Sequence, residues 1–129
     1  ELVQSISLEK KLSIKFSHRN FRNIDFESKD IIIYRIIQEA LSNIIKHAAA
    51  KNVEIPLRYK DGKVYLKIKD DGKGFNIREH GRNNKSLGLS VMRERAKLAG
   101  GTLQIRSAPG AGTQIHLSIP VKEKQNGQK

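Results

Sequence analysis

The chain has 129 residues, which fits one domain with one hydrophobic core. It contains no cysteine, which excludes disulfide frameworks and thiolate metal sites, and no apolar run long enough to span a bilayer. Its formal net charge of +12 favours anionic partners: nucleic acid, acidic membrane, phosphates or an acidic protein.

Residues 1–12 carry weak apolar spacing at Leu2, Ile6, Leu8 and Leu12 and are expected to be a linker or the end of a preceding helix. There is no signal-peptide layout, and a start at Glu1 predicts a fragment or a processed form. "SIKF", Ser13 to Phe16, reads as a short strand, followed by an irregular connection. Ser28 is placed to cap a helix from about Lys29 to Ala49, with Asp30 in its first turn. Ile33, Ile37, Ala40, Leu41, Ile44, Ile45 and Ala48 recur at helical spacing and predict one apolar face. Glu39, Asn43 and Lys46 fall at i, i+4 and i+7 on another face, with His47 at the border and Asn52 as the helix stop.

"VEIPLRY" and "VYLKIKD" alternate like strands around an Asp-Gly hairpin turn. Pro56 lacks the N–H that a ladder needs, so its strand is expected at an edge or a bulge. The second strand runs into "DDGKGF", Asp70 to Phe75, and then into a basic loop, "NIREHGRNNKS". Ser86 is expected to cap a second helix, Leu87 to Ala99, which buries Leu89, Met92, Ala96 and Ala99 and stops at Gly100-Gly101. A last hairpin, "TLQIRS" and "TQIHLSIP", is joined by "APGAG", and the tail from Lys122 to Lys129 is expected to be disordered. Antiparallel hairpins broken by helices predict an α+β fold with helices layered on one face of the sheet.

Several stretches carry chemistry. In D-x-G-x-G, Gly72 and Gly74 allow tight turning and close approach of a ligand, and an aspartate at a strand end can accept from an amino group. Gly88 at the start of a helix leaves backbone N–H groups that attract phosphate. The Glu39, Asn43, Lys46 row offers oxygens suited to Mg²⁺ and an ammonium suited to phosphate.

In this order the pieces resemble the ATP-binding domain shared by gyrase, the heat-shock chaperone, histidine kinases and MutL, over about Ile31 to Pro120. "QEALSNIIKHA", "DDGKGF" and "GLSVMRERAKLAGG" are most similar to sensor histidine kinases of the subfamily paired with helix-turn-helix response regulators. The resemblance implies a two-layer α/β sandwich of the Bergerat type, with an ATP-binding catalytic domain over residues 13–121. It implies that Asn43 binds Mg²⁺, that Lys46 and His47 face the phosphates of ATP, and that Asp70 reads the adenine amino group. Gly72 and Gly74 would shape the adenine end, and Thr113 would lie below it. Gly88 and Leu89 would close a lid on phosphate. Ser86 stands where a glycine is usual and keeps a capping side chain. Ile44, Ile68 and Ile115 are expected to line the ring's slot, with Arg78, Arg82 and Lys85 as lid cations. Glu39 would polarise the accepting imidazole or orient solvent around the metal.

A histidine kinase needs an acceptor histidine on a helical dimerisation domain, and this chain offers none. His18 precedes Arg19 in a loop-like stretch, His80 sits in the lid, His116 lies in the last strand, and His47 belongs to the nucleotide site. The resemblance therefore implies a cytoplasmic, monomeric fragment inactive alone. Its partners would be its own dimerisation domain and a response-regulator receiver domain, without nucleic acid or membrane contact. Two alternatives stand beside it: an anti-sigma-factor serine kinase of the same fold, and a basic nucleic-acid-binding module. Few aromatics for base stacking argue against the second.

Overall fold

The computed structural model describes residues 12–19, 24–78 and 88–124. Strand β1 (Ser13–Arg19) precedes a short strand β2 (Ile24–Asp25) and helix α1 (Lys29–Asn43), which runs on into a π-helical turn, Ile44–Ala48. Then follow β3 (Asn52–Lys60), β4 (Lys63–Asp70), α2 (Leu89–Leu98), β5 (Thr102–Ser107), β6 (Thr113–Pro120) and β7 (Lys122–Glu123). The main sheet has five strands in the order β1-β3-β4-β6-β5, and β2 pairs with β7 in a separate ribbon. Only the β1–β3 pair is parallel; the other three neighbouring pairs are antiparallel. The α+β expectation therefore holds, with one parallel edge.

Alternation along the strands sorts the sheet into two faces. Val53, Ile55, Tyr59, Val64, Leu66, Ile68, Ile115, Leu117 and Ile119 are buried toward the helices. Ile33, Ile36, Ala40, Leu41 and Ile44 from α1 and its π turn, and Leu89, Met92, Ala96 and Ala99 from α2, close the core. Ile36 and Leu41 are fully buried, each stabilising the fold by about 1.5–3 kcal/mol. Ile36 was absent from the predicted apolar face, while the predicted Ile37 and Ile45 only pack against the core's margin. Asp61 and Gly62 both have positive φ, 50° and 79°, the geometry of the predicted hairpin turn. Helix α2 ends as expected: Gly101 N–H donates to Ala96 O and Gly100 N–H to Lys97 O, both at 2.9 Å.

Several expectations are corrected. β1 extends to Arg19, beyond the predicted Phe16, because it pairs along its whole length with β3. This makes β3 an interior strand, so Pro56 lies neither at an edge nor at a bulge. The β3–β4 register is the same on both sides of Ile55 and Pro56, but the ladder is interrupted at these two residues, where the proline has no N–H to donate. Ser28 adopts φ 68° and makes no side-chain cap. The α-helical pattern stops at Asn43, not Ala49, and Ala49 closes the π turn in the left-handed region. Asn52 begins β3 and does not stop the helix. Leu12, assigned to a linker, is buried in the core. Lys122 and Glu123, assigned to a disordered tail, pair with Asp25 and Ile24. The rest of the predicted tail, from residue 125, lies outside the described residues, as does most of the basic loop.

Candidate functional site

Where β4 ends beside the start of β6, under α1 and its π turn, lies a cavity of about 200 Å³. Ala40, Ile44, Ile68, Leu89 and Ile115 give it apolar walls, and Phe75 adds a ring. Asn43, His47, Asp70, Lys73 and Thr113 supply its polar groups. The three isoleucines expected to form a slot are all present, and Asp70 and Asn43 share one space.

The two aspartates of "DDGKGF" have opposite environments. Asp70 is 5% exposed and is the buried charged residue among the described ones. Burial pushes its pKa up. The Gly72 N–H, 2.8 Å from Oδ1, partly offsets this, the Asp71 charge adds to it, and the Thr113 N–H opposes it. Asp71 faces outward, and its carboxylate accepts from Asn52 Nδ2 and the backbone N–H groups of Asn52 and Lys51 at 2.8–2.9 Å. These bonds hold its pKa down at about 2. Asn52 thus clamps the loop that presents Asp70. Gly72 is required by close approach: a Cβ there would fall on the carbonyl and side chain of Ala48. Gly74 lines the cavity itself.

Thr113 pairs with Asp70 across β4 and β6. Its hydroxyl lies 2.9 Å from Ser107 Oγ, which also accepts from Phe75 N–H and donates to Gly112 O, each at 2.9 Å. Ser107 has one proton, and the Gly112 carbonyl can only accept, so Thr113 is the donor of the pair. Thr113 Oγ1 keeps its acceptor capacity for the cavity. Ser107 was not singled out in the sequence, because an isolated serine at a strand end carries no pattern.

At the other end, the π turn changes which residues face the cavity. With i→i+5 bonding, residues four and five beyond Asn43 return to its side, so His47 and Ala48 line the wall. Lys46 is exposed and is not part of that wall. Glu39 is outside it too: its carboxylate packs at Gly88, where a Cβ would collide with it. Gly88 sits at φ 63° before α2, and Leu89 is buried against the cavity. A carboxylate at a helix start interacts favourably with the helix dipole. Ser86, Arg82 and Lys85 lie outside the described residues. Arg78 is exposed, with its N–H on Asn76 Oδ1 at 3.0 Å. Lys73 and Phe75 reach the cavity without having been assigned to it. Their signal was present, since both lie inside "DDGKGF".

Residues 28–123 match the family described as "Histidine kinase-, DNA gyrase B-, and HSP90-like ATPase". The chain belongs to this ATPase family. Among its relatives, the sensor protein VraS of Staphylococcus epidermidis is 38% identical over 124 residues, 94% of this chain and 34% of VraS. The sensor histidine kinase LiaS of Bacillus subtilis is 38% identical over 96 residues, 74% of this chain and 26% of LiaS. The chain therefore spans about a third or less of these relatives. Solved folds agree. The ATP-binding domain of PrrB from Mycobacterium tuberculosis superposes with TM-score 0.74 at 20% identity, over 94% of this chain and 88% of that one. Full-length ShkA in complex with AMPPNP gives TM-score 0.77 at 19% identity, over 95% of this chain and 28% of that one.

Membership of the ATPase family carries ATP binding. The cavity suits the purine end of ATP: a desolvated carboxylate, apolar walls and a threonine acceptor. Among the described residues, no group of three His, Asp or Glu could hold a metal alone. That donor set fits Mg²⁺ only as an ion shared with phosphate oxygens, as Mg²⁺ prefers.

Proposed function

We propose that the chain is the catalytic, ATP-binding domain of a two-component sensor histidine kinase. It presents Mg-ATP to a histidine on a separate dimerisation domain. The observation that carries this reading is that Asp70 and Asn43 line one cavity, within a chain that is 38% identical to sensor kinases. Asp70 accepts from the adenine amino group, while Ile44, Ile68 and Ile115 hold the ring. Asn43 offers its amide oxygen to Mg²⁺, which neutralises charge on the phosphates when bound. His47 and Lys46 flank the phosphates, Lys46 from the exposed side, and Gly88 and Leu89 close over them. The transferred group needs an attacking imidazole nitrogen and no water. Glu39, whose carboxylate reaches from α1 to Gly88 at the start of α2, then serves best as a positioning group for that helix. The remaining partner is a receiver domain, and the setting is the cytoplasm. Isothermal titration with a non-hydrolysable ATP analogue and Mg²⁺ tests the site. Asp70→Asn should weaken binding by about 10- to 100-fold, the equivalent of one hydrogen bond to a charged group. Unchanged affinity would refute the assignment.

A further inference from the structure

The described residues leave the sheet face turned away from the helices uncovered, with Lys15, Glu54, Arg58, Lys69 and Arg106 exposed, and its side chains form a lattice fixed by strand register. One row across the strands reads Lys15, Glu54, Lys69, Gln114, Arg106. Another reads Arg19, Arg58, Tyr65, Ser118, Thr102. Between them Lys67 pairs with His116, which pairs in turn with Gln104, and Lys60 pairs with Lys63 at the hairpin end. Among the strand residues of this face, Glu54 is the one carboxylate. Asp71, at the border, has its oxygens occupied by Asn52 and Lys51. Among the described residues the ion pair within 4 Å is Lys122 with Glu27, elsewhere in the fold. Among the described residues the cations of this face are therefore not held in ion pairs by neighbours. Mutual repulsion shows at His116, whose pKa is lowered first by burial and then by Lys67 and Arg106.

The geometry points to this open face as a docking surface for a bilayer of anionic phospholipid. Five strands make it roughly 20 Å across and roughly 20 Å along. Its positive charge spreads in both directions and reaches both edge strands. Such a two-dimensional array matches a plane of headgroups, whereas a duplex offers a ridge and a single strand needs exposed rings for its bases. Tyr65, the aromatic on this face, is not available for stacking, because the Arg58 guanidinium covers it 4.9 Å from the ring centre. A shallow basin at the middle, lined by Arg58, Tyr65, Lys67, His116 and Ser118, has donors enough for one lipid phosphate. The nucleotide cavity lies on the other side of the sheet, so adsorption leaves it open. Such docking departs from the expectation of no membrane contact that the family resemblance implies, and the lack of an apolar span bears on insertion and not on adsorption.

Vesicle co-sedimentation of the whole chain at about 0.1 M salt, where screening acts over about 10 Å, tests the proposal. Vesicles of phosphatidylcholine with phosphatidylglycerol should bind the protein, and pure phosphatidylcholine should not. Reversing Arg58, Lys67 and Arg106 to Glu should lower partitioning at least about tenfold. Reversing Arg35, Arg93 and Lys97 on the helices, an equal change in net charge, should lower it less than about threefold. Lys15→Gln with Lys69→Gln and Arg106→Gln repeats the test with gentler changes, should the first set fail to fold. Both face sets should keep their affinity for an ATP analogue, which separates this test from that of the nucleotide site. Equal losses in the face and helix sets would overturn the proposal, as would no preference for anionic vesicles. So would face-dependent binding of duplex DNA, poly-L-glutamate or inorganic phosphate without binding to vesicles.

Discussion

Asp70 and Asp71 are neighbours in the chain but respond to protons in opposite ways. Asp71 has a folded-state pKa of about 2, below its ordinary 3.8. Its contribution to stability is complete above 3.8 and is lost as pH falls through about 2. Asp71→Asn should therefore lower the melting temperature at neutral pH, and the gap from the parent should close between pH 4 and pH 2 in an acid series of thermal melts. Asp70 has a raised pKa. Its protonated form is favoured by the fold, so stability declines as pH rises from 3.8 through the higher folded value. The same buried charge is what an adenine amino group would seek. Asp70→Asn should accordingly melt no lower than the parent at pH 7 while losing nucleotide affinity. A variant that lost both together would mean that Asp70 acts as a structural support. In the parent, nucleotide affinity should fall as acidification protonates Asp70, at pH values above 3.8.

At the level of elements, the start of α2 and the middle of α1 meet through Gly88 and Glu39. Gly88→Ala forces a Cβ onto the Glu39 carboxylate at φ 63°, and the left-handed backbone alone costs about 1–2 kcal/mol. Adding Glu39→Ala should recover part of the loss. A double-mutant cycle by urea unfolding should give a coupling of about 0.5–2 kcal/mol, and strict additivity would separate the two residues. Much at this scale was legible in the sequence, and what was not has identifiable causes. The Asp61-Gly62 turn, the glycines of "DDGKGF" and the end of α2 are local chemistry, read from adjacent residues. The burial of Leu89, Met92 and Ala96 follows from spacing alone. Pro56 signals an edge locally, but its missing donor carries no information on β1, which lies alongside from a distant part of the chain. The π turn could not be read from "NIIKHAAA", which fits an α-helix equally well locally. Of the cavity, Asp70, Asn43 and the three isoleucines were readable from motif and spacing. Ser107 was not, since its value lies in three partners brought together only by the hairpin.

At the scale of the whole molecule, the end of β6 and the segment that follows it tie β2 and the start of α1 to the β3–β4 hairpin. Lys29 Nζ donates to Pro120 O at 2.8 Å, Val121 N–H to Gly62 O at 2.9 Å, and Tyr59 Oη bonds Glu123 Oε1 at 2.9 Å. Val121 is buried, and β7 closes on β2. Cutting the chain after Pro120 should cost about 2–4 kcal/mol by chemical denaturation, the sum of one buried valine and a few hydrogen bonds. A truncation of no consequence would make the ribbon ornamental.

The π turn at Ile44–Ala48 is, in helical terms, one residue too many. Removing one residue there would let the α-helix run on unbroken, and the isolated element would be better for it. His47 and Ala48 would then swing off the wall they share with Asn43. On the proposed reading of the cavity, helix regularity and nucleotide binding are thus set against each other in five residues, and a screen for heat tolerance alone would select the regular helix.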